Sequence, residues 1–342
     1  MSAAEPVDGA LVDTIHALFS AVGGTPHDPD TELTVDRTLW DKLESLGLAR
    51  LTCPEEYGGS GAGWWESAAL LAGAAAHAVA LPLAEHDLLA CWLLAQAGLP
   101  GDATLRTAAV LDETGHARAV PWAHAVDRIV VLWRGDRQWL VADVPTSQVV
   151  VVGGSNLAGE PRDDVSLDPS SLVGAPVADR VADELTVRGA LARAVQVTAA
   201  LERAVGLCVE HVTTRVQFGR PLAKFQAVQQ ILADAAAETY LARAAVDAAV
   251  RVADGNDADL ASFRFAVAVA RSSTGHAASV VVRHAHQIHG AIGTTLEHEL
   301  HRFTLPALAW RAEYGSTQHW DDMVAGAALR ADGDGLWDLL TR

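Results

Sequence analysis

The segment Arg215-Val-Gln-Phe-Gly-Arg-Pro-Leu222 concentrates residue types that bind anions. Arg215 and Gln217 stand two residues apart as donors, and a guanidinium offers a fork of N–H groups matched to phosphate oxygens. The spacing predicts a helix carrying Thr213, Thr214 and Arg215 that stops at Gly219, with Pro221 opening the next helix. Two readings stand together: a connection that presents donors to a phosphate or pyrophosphate, and a plain helix hairpin whose Arg215 meets a surface carboxylate. A second stretch is Gln287-Ile-His-Gly-Ala-Ile-Gly-Thr-Thr-Leu-Glu297. Gly290 and Gly293 allow a ligand close to the backbone, and Thr294 with Glu297 spells a capping box that predicts a helix start, a place suited to an anion. A tight helix–helix turn accounts for the same residues equally well. His284, His286, His289, His298 and His301 crowd this region, but their spacing crosses a helix end, a loop and a new helix without H-E-x-x-H, so no metal site is expected. No G-x-S-x-G, P-loop or G-x-G-x-x-G fingerprint occurs, and the glycine-rich segment 58–61 lacks a preceding strand.

The elements that must position these residues fall into three textures. In 1–105, Leu11, Ile15, Leu18 and Phe19 recur at helical spacing, as do Leu39, Leu43 and Leu46, and a helix is predicted from Trp65 to Ala80. In 106–187 short β-branched runs at 108–111, 128–133, 139–144 and 148–152 alternate with turn-formers, which predicts a small antiparallel β domain. From 188 to 342 the helical texture returns, with Leu222, Phe225, Val228 and Leu232 on one face. A helical–β–helical order means α+β with segregated layers.

The 342 residues carry 25 Lys plus Arg against 43 Asp plus Glu, a net charge of −18. Neither nucleic acid nor an anionic membrane surface is an expected partner, since both need clustered basic residues. The Ala-rich run 68–84 is broken by His77 and Pro82 and is too short to span a bilayer. Residues 1–10 lack a basic region leading into an apolar one, so a cytoplasmic location is expected. Three scattered cysteines, Cys53, Cys91 and Cys208, read as buried free thiols. Ten tryptophans against six Phe and three Tyr are an excess that needs a cause.

Together these stretches resemble the acyl-CoA dehydrogenase family over nearly the whole chain. The resemblance rests on Leu46-Gly-Leu-Ala, Pro54-Glu-Glu-Tyr-Gly-Gly-Ser-Gly61, Arg215-x-Gln-Phe-Gly-x-Pro-Leu222, Phe225-Gln226 and Gln287-x-His-Gly290. It implies a helical N-terminal domain, a β domain and a C-terminal four-helix bundle. It implies FAD as cofactor and α,β-dehydrogenation of an acyl-CoA thioester: a glutamate removes the α-proton as hydride passes to flavin N5, and electron-transferring flavoprotein takes the electrons. In the family's tetramer each FAD crosses a subunit interface, which makes Arg215, Gln217, Phe218, Gln226, Gln287 and Gly290 the implied contacts to the ADP half of a neighbour's flavin.

The departures are as informative. The Thr-Glu-x-x-x-Gly-Ser-Asp segment that opens the family's β domain has no counterpart between Leu105 and Val120. The family's Trp-x-Thr-Asn stretch corresponds to Ala119 through Trp122, with Ala119 at its Trp and Pro121 at its Thr. Its Tyr-Glu-Gly-Thr base segment corresponds to Glu313-Tyr314-Gly315-Ser316, so the implied base, Glu313, is displaced by one residue. The other position for a base, on the first helix of the bundle, holds no acid in 189–193, and Glu202 reads as a solvated helix residue. The resemblance extends to short chains of actinobacterial heteromers, notably in steroid side-chain degradation, that pair with a complete subunit. The implied alternatives are such a subunit with a full-length partner, a self-sufficient homo-oligomer (dimer or tetramer) using Glu313, or a non-redox scaffold that binds CoA thioesters. In the first case, tryptophans such as Trp122, Trp133, Trp139, Trp310 and Trp320 fill space where a flavin or acyl chain would lie.

Overall fold

A computed structural model describes residues 7–23, 33–255 and 259–341. Residues 1–6 of the acidic start lie outside the described residues. The chain divides into two compact units, 1–192 and 193–342.

The first unit opens with helices α1 (Gly9–Ser20) and α2 (Arg37–Ser45). Asp8 and Asp36 cap them by accepting the N–H groups of Ala10 and Leu39. The core faces are Ile15, Leu18 and Phe19 on α1 and Leu39, Trp40 and Leu43 on α2; Leu46 lies past the end of α2 and is exposed. Helix α3 runs Trp64–Ala76 and so stops four residues short of the predicted Ala80, because the backbone turns through His77 and a left-handed Ala78. A π-helical segment, Ala84–Cys91, then leads into α4 (Trp92–Gln96).

Two small sheets follow. One has strand order β1 (Arg106–Leu111), β3 (Arg128–Arg134), β4 (Trp139–Pro145) and β7 (Ala175–Val177); the other has β2 (His116–Pro121), β6 (Arg162–Ser166) and β5 (Val150–Val152). All pairings are antiparallel except β1 with β3, which run parallel. The sequence suggested antiparallel neighbours throughout. The exception arises because β2 leaves to pair with β6 in the second sheet, so the chain re-enters beside β1 in the same direction. Strand β6 escapes sequence reading because Arg162-Asp-Asp-Val-Ser lacks apolar alternation, although Arg162 and Asp163 are buried.

The π-helical segment buries Glu85, His86 and Asp87. His86 Nδ1 accepts the Arg106 N–H at 3.0 Å, and Asp87 accepts the N–H groups of Thr52 (3.0 Å) and Cys53 (3.3 Å). Burial, with Arg106 and Arg50 nearby, lowers the His86 pKa to about 3, while burial raises that of Asp87 to about 6. The two act with opposite sign on stability. His86 is depressed, so acidification from its unfolded value of about 6.5 toward 3 protonates the unfolded chain first and removes stability. Asp87 is raised, so acidification from 6 toward its unfolded value of about 3.9 protonates the folded chain first and adds stability. Each slope approaches about 1.4 kcal/mol per pH unit, and over pH 6 to 4 they offset. His86→Asn is therefore expected to gain stability on acidification relative to the parent, and Asp87→Asn to lose it. Urea melts at pH 6, 5 and 4 check the two slopes; parallel curves for both variants would refute the assignment.

Helix α5 (Arg180–Thr214) carries the chain into the second unit. Its residues 187–201 are buried on every face, so they show no amphipathic period. Helices α6 (Gln226–Asp254) and α7 (Leu260–His289) form an antiparallel pair, with Asp259 capping α7 through the Ser262 N–H at 2.7 Å. Among the described residues, the segment Leu260–Thr294 alone is long and apolar enough to cross a membrane by length and composition. More than half of its most apolar window, 56%, is already buried inside the protein, as in a core helix. Short α8 (His301–Trp310) and α9 (Thr317–Thr341) complete the unit.

Two expected starts move. Thr294 caps no helix: its hydroxyl donates back to the Ala291 carbonyl at 2.8 Å, turns follow, and α8 begins at His301 after His298 Nδ1 accepts the Leu300 N–H. Pro221 likewise opens no α-helix; it precedes a 3-10 turn, Leu222–Lys224, and α6 starts at Gln226.

Candidate functional site

The predicted anion-binding residues gather at one end of α5, α6 and α7. The rings of His211 on α5 and His289 on α7 lie 4.6 Å apart, and His298 follows at 4.5 Å from His289, so the ends of these helices converge. His284 Nε2 and Asp234 Oδ2, 2.8 Å apart, tie α7 to α6 and bring the Gln226 end of α6 to the same place. Burial lowers the pKa of His211, His286 and His289, which favours neutral rings.

Helix α5 ends at Thr214, earlier than Gly219. Beyond it the chain forms a two-residue hairpin, β8 (Val216–Gln217) and β9 (Arg220–Pro221), in place of a helix. Its turn residues, Phe218 (φ 51°) and Gly219 (φ 77°), are both left-handed, as a two-residue I′ turn requires. The Phe218 ring is 90% exposed, and Arg220 lies over the Phe225 ring at 4.2 Å. Arg215, Gln217, Gln226 and Gln287 are also exposed, and among the described residues their side chains make no hydrogen bond or ion pair. Arg215 thus meets no carboxylate among the described residues. Nothing lies within 4 Å of a Cβ built on Gly219 or Gly290, and Gly290 (φ 62°, ψ −140°) has a backbone that L residues avoid. Free amide and guanidinium donors, an open aromatic face and bare backbone fit the phosphates and adenosine of a dinucleotide such as FAD.

Phe218 is an aromatic residue held at positive φ with its ring in solvent, a strained choice for a turn that Asn-Gly would satisfy. Phe218→Asn is expected to stabilise the isolated chain by about 0.5–1 kcal/mol in thermal or urea melts. An unchanged or lowered stability would show that the ring is packed rather than presented.

Glu313 is elsewhere. Roughly 30 Å of helical rise separates Arg193 from the Thr214 end of α5, and Glu313 sits against Arg193: Nε donates to Oε2 at 2.6 Å. Arg193 also donates to Gln196 Oε1 at 2.7 Å and lies 5.9 Å from the centre of the Tyr314 ring. The segment after α8 is a turn rather than a helix. Arg271, buried between α8 and α9, donates to the carbonyls of Arg311 (2.8 Å) and Glu313 (2.7 Å). Tyr314 (φ 57°) and Gly315 (φ 123°) complete the bend, and a Cβ on Gly315 would come within 2.9 Å of Trp320 Nε1. Arg193 and Arg271 were missed by sequence reading. The available signal was charge inside apolar helical runs, which demands a buried partner. Glu202 is a further correction: it is paired bidentately with Arg243 of α6, with a Nε–Oε1 distance of 2.8 Å, rather than simply solvated.

In the first unit, the strand that corresponds to the family's flavin-packing stretch spends its donors internally. The N–H groups of Ala119, Trp122 and His124 go to Asp164, the Pro161 carbonyl and Asp163, and Pro121 has none to offer. Trp122 is buried, as are Trp133, Trp310 and Trp320, and Trp139 is half-buried. Among the described residues no cluster of three or more His, Cys, Asp or Glu has metal-binding geometry.

Comparison with known proteins identifies the family. Residues 10–102 match the N-terminal domain of acyl-CoA dehydrogenases and 180–329 their C-terminal domain. The chain is 29% identical to acyl-CoA dehydrogenase FadE27 of Mycobacterium tuberculosis, over 87% of this chain and 90% of that protein. Among solved structures it resembles the ChsE4–ChsE5 complex of Mycobacterium tuberculosis (TM-score 0.81, 23% identity, 95% of this chain and 98% of that one). It also resembles the steroid ACAD Tcur3481–Tcur3483 (TM-score 0.80, 22% identity, 94% and 97%). With both terminal domain models matched in order around a small two-sheet β region, the chain belongs to the acyl-CoA dehydrogenase family, FAD-dependent oxidoreductases that act on CH–CH bonds.

Proposed function

We propose that this chain is the supporting subunit of a heteromeric acyl-CoA dehydrogenase, giving the ADP-side FAD contacts to a full-length partner that carries the base. The observation behind this reading is an asymmetry. The edge at Arg215, Gln217, Phe218, Gln226, Gln287 and Gly290 is exposed, and the side-chain donors of Arg215, Gln217, Gln226 and Gln287 have no partner among the described residues, whereas Glu313 is engaged by Arg193 and the N–H groups of Ala119, Trp122 and His124 are consumed. FAD, when bound, accepts the hydride lost from the acyl β-carbon. This chain's part is to hold its phosphates through the Arg215 fork and its adenosine against Phe218, within a field whose net charge of −18 makes short-range contacts more important than steering.

The solved relatives ChsE4–ChsE5 and Tcur3481–Tcur3483 are two-component assemblies, which supports a hetero-oligomer. The second supports a steroid-derived acyl-CoA as the substrate class. Electron-transferring flavoprotein as acceptor and a cytoplasmic location complete the proposal. The test is flavin content and turnover of the purified chain, alone and co-expressed with a full-length homologue. FAD is expected only in the complex. Stoichiometric FAD with turnover in the lone chain would establish the self-sufficient reading, and no flavin under either condition would establish a non-redox scaffold.

A further inference from the structure

Arg188, on α5 within the first unit, is a buried cation that no carboxylate of the described residues pairs. Only 8% of the residue stays exposed. Its guanidinium lies against two indole rings, 5.0 Å from the centre of Trp64 at the start of α3 and 4.7 Å from that of Trp92 at the start of α4. Nε donates to the Leu88 carbonyl at 2.9 Å, which anchors one edge of the fork. The terminal nitrogens Nη1 and Nη2 make no hydrogen bond among the described residues, yet neither is sealed from solvent. The remaining donor edge therefore opens onto the surface. Two carboxylates nearby are already committed: Asp87 accepts the N–H groups of Thr52 and Cys53, and Glu184 accepts from Arg180 Nη1 at 2.7 Å. Burial lowers the Arg188 pKa only to about 10, so the group is charged at neutral pH. Charged groups in a protein interior are as a rule paired or fully hydrogen-bonded, and a guanidinium with two idle nitrogens departs from that rule.

We propose that the Arg188 fork, walled by Trp64 and Trp92, is a binding site for a small organic carboxylate.

The surroundings define the ligand. A guanidinium edge offers N–H groups at the spacing of two carboxylate or phosphate oxygens. The local field separates these two chemistries: Asp87 and Glu184 offset part of the single positive charge, so a monoanion is favoured over a phosphate dianion. Trp64 and Trp92 supply apolar surface beside the fork for the body of an organic acid. They also hold the guanidinium by cation–π contact, so little ordering is left to be done on binding. Two of the ten tryptophans thereby gain a role besides filling space. None of these residues belongs to the proposed dinucleotide edge, so the site is independent of the flavin reading.

Titration of the intact chain with benzoate, followed through its tryptophan indole N–H signals by NMR, tests this directly. The expected result is a saturable shift of the Trp64 and Trp92 signals, assigned with Trp64→Phe and Trp92→Phe. Benzamide, the neutral isostere, is expected to leave them in place, and inorganic phosphate not to compete. Arg188→Gln should weaken benzoate binding by about tenfold or more, the loss of at least one charge-assisted hydrogen bond, and Arg188→Lys should restore only part of it. No saturable shift with benzoate would overturn the proposal, and an equal shift with benzamide would reduce the site to an apolar cleft. Displacement of benzoate by phosphate would overturn the carboxylate assignment, and unchanged affinity in Arg188→Gln would remove the cation from it. The comparison of benzoate, benzamide and phosphate is made on the unmutated chain, so it holds even if an Arg188 variant fails to fold.

Discussion

Arg215→Ala, introduced into the complex with a full-length homologue, is expected to weaken FAD binding by about 30- to 150-fold. The estimate follows from losing charge-assisted hydrogen bonds worth together about 2–3 kcal/mol. The guanidinium is exposed and without a side-chain partner among the described residues, so its removal should not disturb folding. Loss of flavin on gel filtration with subunit stoichiometry and melting temperature preserved is the expected signature. Arg215→Lys should recover only part of the affinity, since an ammonium cannot reproduce the two-pronged contact. Retention of flavin at parental affinity by Arg215→Ala would remove the main support for the supporting-subunit reading.

The second large effect concerns stability rather than flavin. Arg193 is buried and its Nε donates to Glu313, so Arg193→Leu takes the guanidinium away from a carboxylate that is only 18% exposed. A loss of about 3–4 kcal/mol is expected, the scale for breaking one side of a buried pair. The double replacement Arg193→Leu with Glu313→Leu should restore part of it, because the carboxylate goes with its guanidinium while the buried Arg271 loses the nearby Glu313 charge that supports it. Denaturant melts of the four proteins give the coupling. In the same complex, Glu313→Gln keeps an acceptor for Arg193 and should leave turnover within about twofold; a fall of a hundredfold or more would mean that Glu313 is the base after all.

Much of the proposed dinucleotide edge rests on residues the sequence already marks. Arg215, Gln217 and Gly290 are marked by residue type, since donor chemistry and glycine freedom are local properties, and Phe218, Gln226 and Gln287 by the family resemblance alone. The geometry around them is not. The expected helix through Arg215 is a hairpin with a left-handed Phe218, because hairpin and helix end draw on the same punctuation of glycine and proline. Thr294 and Glu297 spelled a cap, but the Thr294 hydroxyl was already committed to the turn behind it. Strand β6 stayed hidden because its burial rests on charged side chains: Arg162 is held by its neighbours Glu160 and Pro161, and Asp163 by the distant His124.

The sequence by itself determined the α+β class, the helical–β–helical order, the family and the residues able to meet a phosphate, for these depend on local periodicity and on the chemistry of single side chains. Tertiary structure decided which of those groups remain available. Arg215 and Glu313 are both charged and equally plausible as letters, yet one is exposed with no side-chain partner among the described residues and the other lies against Arg193, some 120 residues away along the chain. Pairing across such a separation is set by how helices pack, so the difference between an open binding edge and a closed acid is invisible until the chain has folded.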